Sequence, residues 1–124
     1  MNDTISDLLV RVSNAKSIDK NSLVLPFSKI KEGVLSVLKE EGYVGEFSSD
    51  KDKKSITVDL TGSSKNFQKI KRLSRPGRRL YIKSKNIPRP KGYGIVIIST
   101  PKGVLSGSKA KAQGFGGELI CEVW

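Results

Sequence analysis

The spacing of apolar residues changes along the chain and restricts the fold classes open to it. Ile5, Leu8 and Val12 recur at helical intervals, which predicts an amphipathic helix over residues 4–16. Later segments instead alternate apolar with polar residues or run unbroken, as strands do. A chain that mixes both periods belongs to a mixed helix-and-sheet class.

A second helix is predicted over residues 29–41. Ser28 is placed to cap its start and Gly42 to end it, in keeping with the residue preferences of helix termini. Its apolar stripe is predicted to consist of Ile30, Val34, Val37 and Leu38.

Three short strands complete the first half. Residues 23–25 predict one that stops before Pro26, because proline cannot donate to a sheet ladder. Residues 44–47 and 55–60 predict an antiparallel pair, joined by a polar turn over 48–53.

The second half is predicted to be mostly strand, over residues 67–73, 78–83, 95–98 and 118–124, with a short helix near 108–113. Pro76 and Gly77 fit a type II turn, which needs a positive φ at the glycine. The predicted fold is α+β, with two small packed α/β portions. These are residues 1–62, helix–strand–helix with antiparallel strands, and residues 63–124.

Charge divides at the same place. Residues 1–62 carry 9 basic and 10 acidic residues, whereas residues 63–124 carry 14 basic and 2 acidic, so the second half holds the whole net charge of +11. Between Lys65 and Lys91 there are 11 basic residues and no acid. Such an asymmetry predicts a surface that binds a polyanion, and nucleic acid is the usual one. The alternative is a basic face that only confers solubility.

Several classes of function are excluded. With no His, the chain has no imidazole base and no His-ligated metal site, and Cys121 alone makes no internal disulfide. No apolar run is long enough for a membrane span, and the N-terminus carries no secretory signal. We therefore expect no imidazole-based catalysis, no metal or cofactor, and a reducing, cytosol-like compartment.

Three segments are candidates for recognition. In the first, charge alternates with apolar residues from Lys69 to Tyr81, so that one strand face packs and the other presents cations. In one interpretation Tyr81 stacks on a base, and in the other it packs in the core. Its residue type favours packing in the core. The second segment, residues 99–103, is a hydroxyl-bearing loop, and an ordinary strand-to-helix connection is the simpler interpretation.

The third segment, residues 114–118, has closely spaced glycines that permit close approach to a strand or to RNA. Its Glu118 either orients a cation, accepts from a base, or forms a structural ion pair. Cys121 lies mid-strand and is predicted to be an inert buried thiol.

Residues 94–105, with Ala110 and Lys111 shortly after them, resemble the signature of the bacterial-type eighth small-subunit ribosomal protein family. Segments around residues 3–15, 26–31, 41–43, 70–77 and 116–124 are similar to that family as well, in order and over nearly the whole chain. The resemblance implies two α/β portions and a non-catalytic, cytoplasmic ribosomal protein. Bacterial and organellar ribosomes both stay open.

The resemblance also implies partners and a site. The partners are the central domain of small-subunit ribosomal RNA, the fifth and twelfth small-subunit proteins, and the messenger of its own operon, which some members repress. The implied readers of RNA are Ser99, Thr100, Tyr81 and Glu118, with Pro101, Lys102, Gly103, Gly116 and Gly117 beside them. Contacts to the RNA backbone are assigned to Lys71, Arg72, Arg75, Arg78, Arg79, Thr4, Arg11, Asn14, Ser28, Lys29 and Lys31. We expect Lys69 to neutralise phosphate as well.

The chain departs from the family at three places. Pro101 replaces the usual third hydroxyl of the loop, Leu105 replaces a methionine, and Gly107, Ser108 and Lys109 stand where acids are common. Two other functions remain as alternatives: a free-standing, non-specific nucleic-acid-binding module and a small nuclease. A nuclease needs clustered carboxylates, and the basic half offers only Glu118 and Glu122.

Overall fold

The structure, a computed structural model, describes residues 4–50, 52, 54–62, 67, 69–74, 77–88 and 94–124. The chain divides into two compact units, Thr4–Asn66 and Phe67–Trp124. Residues 63–66, next to the predicted boundary, lie outside the described residues. Each unit combines helix with antiparallel sheet, which confirms the predicted α+β class.

The N-terminal unit has two helices and a three-stranded sheet. Its elements in chain order are α1 (Thr4–Ser17), β1 (Ser22–Pro26), α2 (Lys29–Glu40), β2 (Phe47–Asp50) and β3 (Ser55–Asp59). The strands are ordered β1-β3-β2 and both pairings are antiparallel. Pro26 is accommodated as the last residue of an edge strand, where its missing N–H costs no ladder bond.

The apolar stripes of the helices form the core of this unit, with one correction. Leu8, Leu9 and Val12 of α1 are fully buried, as the helical spacing predicts. In α2 the prediction is wrong at Ile30, which is exposed, while Leu35 is buried in its place. The buried stripe is wider than predicted because Leu35 flanks Val34 and Leu38 on the same side of the helix.

The predicted strand over residues 44–47 is also placed too early. β2 begins at Phe47 and continues through Ser48, Ser49 and Asp50, where we predicted a turn. Phe47 pairs with Val58, and the strand alternates between half-buried Phe47 and Ser49 on one face and exposed Ser48 and Asp50 on the other. Polar composition hid this strand, because its sequence resembles a turn.

The C-terminal unit contains a five-stranded antiparallel sheet, one α-helix and a 3₁₀ turn. Its elements are β4 (Ile70–Arg72), β5 (Tyr81–Ile82), a 3₁₀ turn (Ser84–Asn86), β6 (Ile95–Thr100), β7 (Gly103–Ser106), α3 (Gly107–Gln113) and β8 (Gly117–Val123). The order is β4-β8-β6-β7, and β5 also pairs with β8. The apolar run of β6 is central and buried from Ile95 to Ile98, as predicted.

α3 covers one face of this sheet. Val96, Ile98 and Leu119 pack there with Ala110 of α3 and with Ile87. Ser106 caps the helix by accepting from the Lys109 N–H at 3.3 Å.

A β-bulge lies in β8. Ile97 pairs with Cys121 but Ile98 pairs with Leu119, so that Ile120 is an extra residue in β8. Cys121 is buried, as predicted.

Candidate nucleic-acid interface

Three predicted site residues lie side by side across three strands. Tyr81 of β5 is directly opposite Glu118 of β8, and Glu118 is opposite Ser99 of β6. Cross-strand partners in antiparallel pairs project from the same face, so these side chains form one line, here called the cross-strand row. The row is on the face away from α3, since the neighbouring Ile98 and Leu119 pack toward that helix.

The members of the cross-strand row offer different chemistry. Tyr81 is 70% exposed, which overturns the interpretation of this residue as a packed core tyrosine. Ser99 is half-buried, and among the described residues its hydroxyl meets no hydrogen-bond partner. The row continues to Val104 of β7, a half-buried apolar residue that sequence analysis missed. An aromatic ring, a carboxylate, a hydroxyl and an apolar contact are thus aligned.

Glu118 makes an ion pair within its own unit. Its Oε1 accepts from Nη1 of Arg79 at 3.3 Å, and the Glu118 side chain is 18% exposed against 60% for Arg79. An ion pair is what both the cation-orienting and the structural ion-pair alternatives for Glu118 predict. The carboxylate holds a guanidinium at the end of the row, where the remaining donors of Arg79 face solvent.

β4 and β5 are two parts of one interrupted strand on the same edge of β8. Leu119 accepts from the Ser74 N–H at 3.1 Å and donates its own N–H to the Leu80 carbonyl at 2.8 Å. Ser74 and Leu80 therefore bond to the same residue of β8, one on each side of residues 75–79 in the chain.

We predicted a type II turn at Pro76-Gly77. Gly77 does not adopt the positive φ that this turn requires, so the prediction is wrong. Pro76 and Arg75 lie outside the described residues.

Ser74 joins the chain on the two sides of residues 75–79 and was missed by sequence analysis. Its hydroxyl oxygen accepts from the Leu80 N–H at 2.9 Å, and the residue is fully buried. The signal available in the sequence is a small hydroxyl residue immediately before an Arg-Pro-Gly-Arg segment, at the point where the strand pattern breaks.

The segment over residues 99–103 is a hairpin and not a strand-to-helix loop. β6 extends to Thr100, Gly103 begins β7, and Pro101-Lys102 is the connection between them. Gly103 has a φ of 118°, a region that favours glycine. We missed β7 because Pro101 and Gly103 shortly before a helix resemble a plain loop.

Ser99 and Thr100 point to opposite faces of the sheet. Thr100 is buried, and its hydroxyl donates to the Gly103 carbonyl at 2.7 Å and accepts from the Lys102 N–H at 3.1 Å. The Thr100 side chain therefore shapes the hairpin, while Pro101 and Lys102 are exposed at its tip.

Gly116 and Gly117 are required by the close approach of other strands. A Cβ on Gly117 would be 2.9 Å from the Ser99 carbonyl carbon, and one on Gly116 would be 2.9 Å from Lys83 Cα. Of the two alternatives for these glycines, the structure shows the approach of backbone to backbone.

The predicted phosphate-binding cations differ in how exposed they are and in the contacts they make within the protein. Lys71, Arg78 and Lys69 are exposed, and the Lys69 ammonium lies 5.9 Å from the centroid of the Trp124 ring. Arg72 is half-buried and donates to the Ile120 carbonyl at the bulge. Arg72 thus contributes to holding the bulge.

The N-terminal candidates fall into two groups. Arg11 and Asn14 line an open cleft of about 410 Å³, whose other lining residues are Ala15, Ser17, Ile18, Lys20 and Leu23. Lys29 is exposed, whereas Ser28 caps α2 by accepting from the Lys31 N–H. Lys31 is buried and donates to the Pro26 carbonyl at 3.2 Å. The side chain of Thr4 lies outside the described residues.

The described residues contain no group of three metal-ligating side chains. In the same part of the chain, no helix is both long and apolar enough to cross a membrane.

Comparison with known proteins identifies the family. The family described as ribosomal protein S8 matches residues 3–124. The chain is 44% identical to the small ribosomal subunit protein uS8 of Saccharophagus degradans, over 100% of this chain and 98% of that one. It is 45% identical to uS8 of Neisseria meningitidis, over 99% and 98% of the two chains, and 36% identical to uS8c of Tetradesmus obliquus, over 100% and 99%. The chain belongs to the ribosomal protein S8 family.

Proposed function

We propose that this small-subunit ribosomal protein binds the central domain of small-subunit ribosomal RNA through the cross-strand row of its C-terminal unit. Its relatives are structural ribosomal proteins and not enzymes. The observation that carries the proposal is the alignment of Tyr81, Glu118 and Ser99 on one sheet face. Sequence-specific RNA recognition commonly uses unstacked bases laid on aromatic rings and hydrogen-bonded at their edges.

Affinity and specificity are divided between two sets of groups. Lys69, Lys71 and Arg78 are exposed cations that neutralise phosphates and set the salt dependence of binding. Ser99 offers a free hydroxyl and Tyr81 a free ring, which discriminate between RNAs. Glu118 acts through Arg79, whose position it fixes.

The N-terminal unit adds contacts of lower specificity. Arg11, Asn14 and Lys20 bring two cations and an amide to one cleft, and Lys29 is exposed beside the start of α2. We assign phosphate contacts to this cleft. The near-neutral residues 1–62 thus assist the strongly basic residues 63–124, which is the division of labour we infer for the two portions.

The wider role follows from the same site. We infer that binding occurs early in subunit assembly and fixes the local RNA fold. The fifth and twelfth small-subunit proteins are the expected neighbours. A messenger that reproduces the ribosomal site would compete for the cross-strand row, which would repress translation of its operon.

The deciding experiment measures binding to a transcript of the central domain and to a scrambled RNA of the same length. Ser99→Ala should weaken binding to the central domain by about 1–2 kcal/mol, roughly 5- to 30-fold, because a hydrogen bond is lost. Binding to the scrambled RNA should not change. Ser48→Ala is the control, since Ser48 is an exposed strand serine of the other unit.

Two results would contradict the proposal. Equal losses on both RNAs would remove Ser99 as a reader. Equal affinity of the unmodified protein for duplex DNA and for the central domain would favour the non-specific module. Arg78→Ala gives the internal comparison. It should weaken binding to both RNAs and lower the slope of log affinity against log salt concentration by about one.

A further inference from the structure

β1 has a free edge in the three-stranded sheet. Among the described residues, β1 pairs with β3 alone, at its other side. Phe27 donates to the Lys54 carbonyl and Leu60 donates to the Asn21 carbonyl, both across the β1–β3 pairing. Antiparallel pairing alternates, so the odd-numbered residues face β3 and the backbone groups of Ser22, Val24 and Pro26 face outward.

Two of these outward carbonyls are occupied by cationic side chains. Nη2 of Arg11, on α1, donates to the Val24 carbonyl at 3.1 Å. Nζ of Lys31, on α2, donates to the Pro26 carbonyl at 3.2 Å. Both residues resemble RNA contacts by sequence, yet in the structure they bond to the edge of a strand from two different helices.

The occupied carbonyls are those that a second copy of β1 would need. Two β1 strands related by a twofold axis through Val24 would pair Val24 with Val24 and Ser22 with Pro26. Because Pro26 has no N–H, the available bonds run from the Val24 N–H to the Val24 carbonyl and from the Ser22 N–H to the Pro26 carbonyl. Arg11 and Lys31 hold both acceptors.

The sequence of β1 makes such pairing attractive if the acceptors are free. Ser22–Pro26 carries no charge, and Val24 is 55% exposed. Uncharged edge strands with exposed apolar residues are templates for association between chains, and natural proteins block them with cations or proline.

We propose that Arg11 and Lys31 prevent the free edge of β1 from pairing with β1 of a second copy of the chain, because they occupy the Val24 and Pro26 carbonyls. These two side chains are called the guard. The guard acts in the RNA-free protein, before assembly. It rests on the bonds that Arg11 and Lys31 make to β1 and not on the proposed RNA contacts, although Arg11 takes part in both.

Sedimentation equilibrium of the RNA-free protein over a wide concentration range tests the guard. The double variant Arg11→Ala, Lys31→Met should form a dimer whose fraction rises with concentration, while the unmodified protein stays monomeric. Adding Val24→Pro should restore the monomer, because it removes the central donor from an edge position that tolerates proline. The control pair, Lys20→Ala with Lys29→Met, removes the same charge without touching β1.

A folded double variant that stays monomeric at every concentration would overturn the proposal. So would a dimer that persists after Val24→Pro. If the double variant does not fold, Arg11→Ala is measured in its place, since Arg11 lies at the surface. This variant frees the Val24 carbonyl and should dimerise as the concentration rises. RNA affinity of Arg11→Ala, measured in parallel, separates the two roles: loss of affinity in a strict monomer contradicts the guard and leaves the proposed RNA contact in place.

Discussion

The Ser74 hydroxyl contacts both backbone polar groups of Leu80, accepting from its N–H at 2.9 Å and lying 3.4 Å from its carbonyl oxygen. One side chain thereby joins Ser74 to Leu80, on either side of residues 75–79. Arg79, next to Leu80 in the chain, pairs with Glu118 of the cross-strand row. A buried serine thus fixes the backbone beside this cation.

Ser74→Ala should destabilise the C-terminal unit. The Leu80 N–H would lose its acceptor in a buried setting, which costs about 1–3 kcal/mol. Urea unfolding followed by fluorescence of Trp124, the one tryptophan in the sequence, measures the change. Ser48→Ala should leave the midpoint in place. A midpoint for Ser74→Ala equal to that of the unmodified protein would show that the bond is dispensable.

Gly117→Ala should cost more than most single-methyl additions. The new Cβ would overlap the Ser99 backbone, which cannot move without disturbing β6. We expect a loss of about 1–3 kcal/mol or more in unfolding free energy. Gly77→Ala is the matched control, since a Cβ there has nothing within 4 Å and needs no positive φ. Equal stability of the two variants would contradict the close approach of β8 to β6.

Tyr81→Ala should lower RNA affinity and leave stability nearly unchanged. The ring is 70% exposed, and a stacked base is worth about 1–3 kcal/mol. Tyr81→Phe keeps the stacking face and should retain most of the affinity for the central-domain transcript. If Phe and Ala at this position bind equally badly, the hydroxyl and not the ring makes the contact.

Asp59 should make stability depend on pH in the acid range. Its carboxylate accepts from the Thr61 hydroxyl at 2.6 Å and the Thr61 N–H at 2.8 Å, and these two bonds lower the pKa of Asp59 below its ordinary value of 3.8. The unfolded chain then binds the proton more readily, so the contribution is present above pH 3.8 and is lost as the pH falls through the folded-state pKa.

Thr61→Val removes the hydroxyl bond, which is the larger cause of the lowered pKa. Unfolding free energies measured across this pH range should fall less steeply for Thr61→Val than for the unmodified protein. Parallel curves would mean that Asp59 is not the group responsible.

The extents of α1 and α2 could be predicted to within a residue at each end, because each helix buries one apolar stripe. Ser28 caps α2 as its residue type predicts. The strands of the C-terminal unit were harder. β4 and β5 share one edge of β8 through bonds to Leu119, and such a long-range relationship leaves no local pattern in either strand.

The site residues could be assembled by resemblance, but their orientation could not. Ser99 and Thr100 are adjacent and chemically alike, yet one faces the row and the other is committed to the hairpin. Lys31 looks like a surface cation and is buried against Pro26. Pairing register and packing decide these cases, and both depend on residues far away in the sequence.

The bulge at Ile120 makes the register of β8 as important as its composition. If the pairing of Ile97 with Cys121 carried on unshifted at the same strand length, Ile98 would pair with Ile120, and Leu119 instead of Glu118 would face Ser99. The bulge therefore decides that a carboxylate and not an isobutyl group lies beside Ser99. A change that abolished the bulge without altering the length of β8 would exchange these two side chains without mutating either.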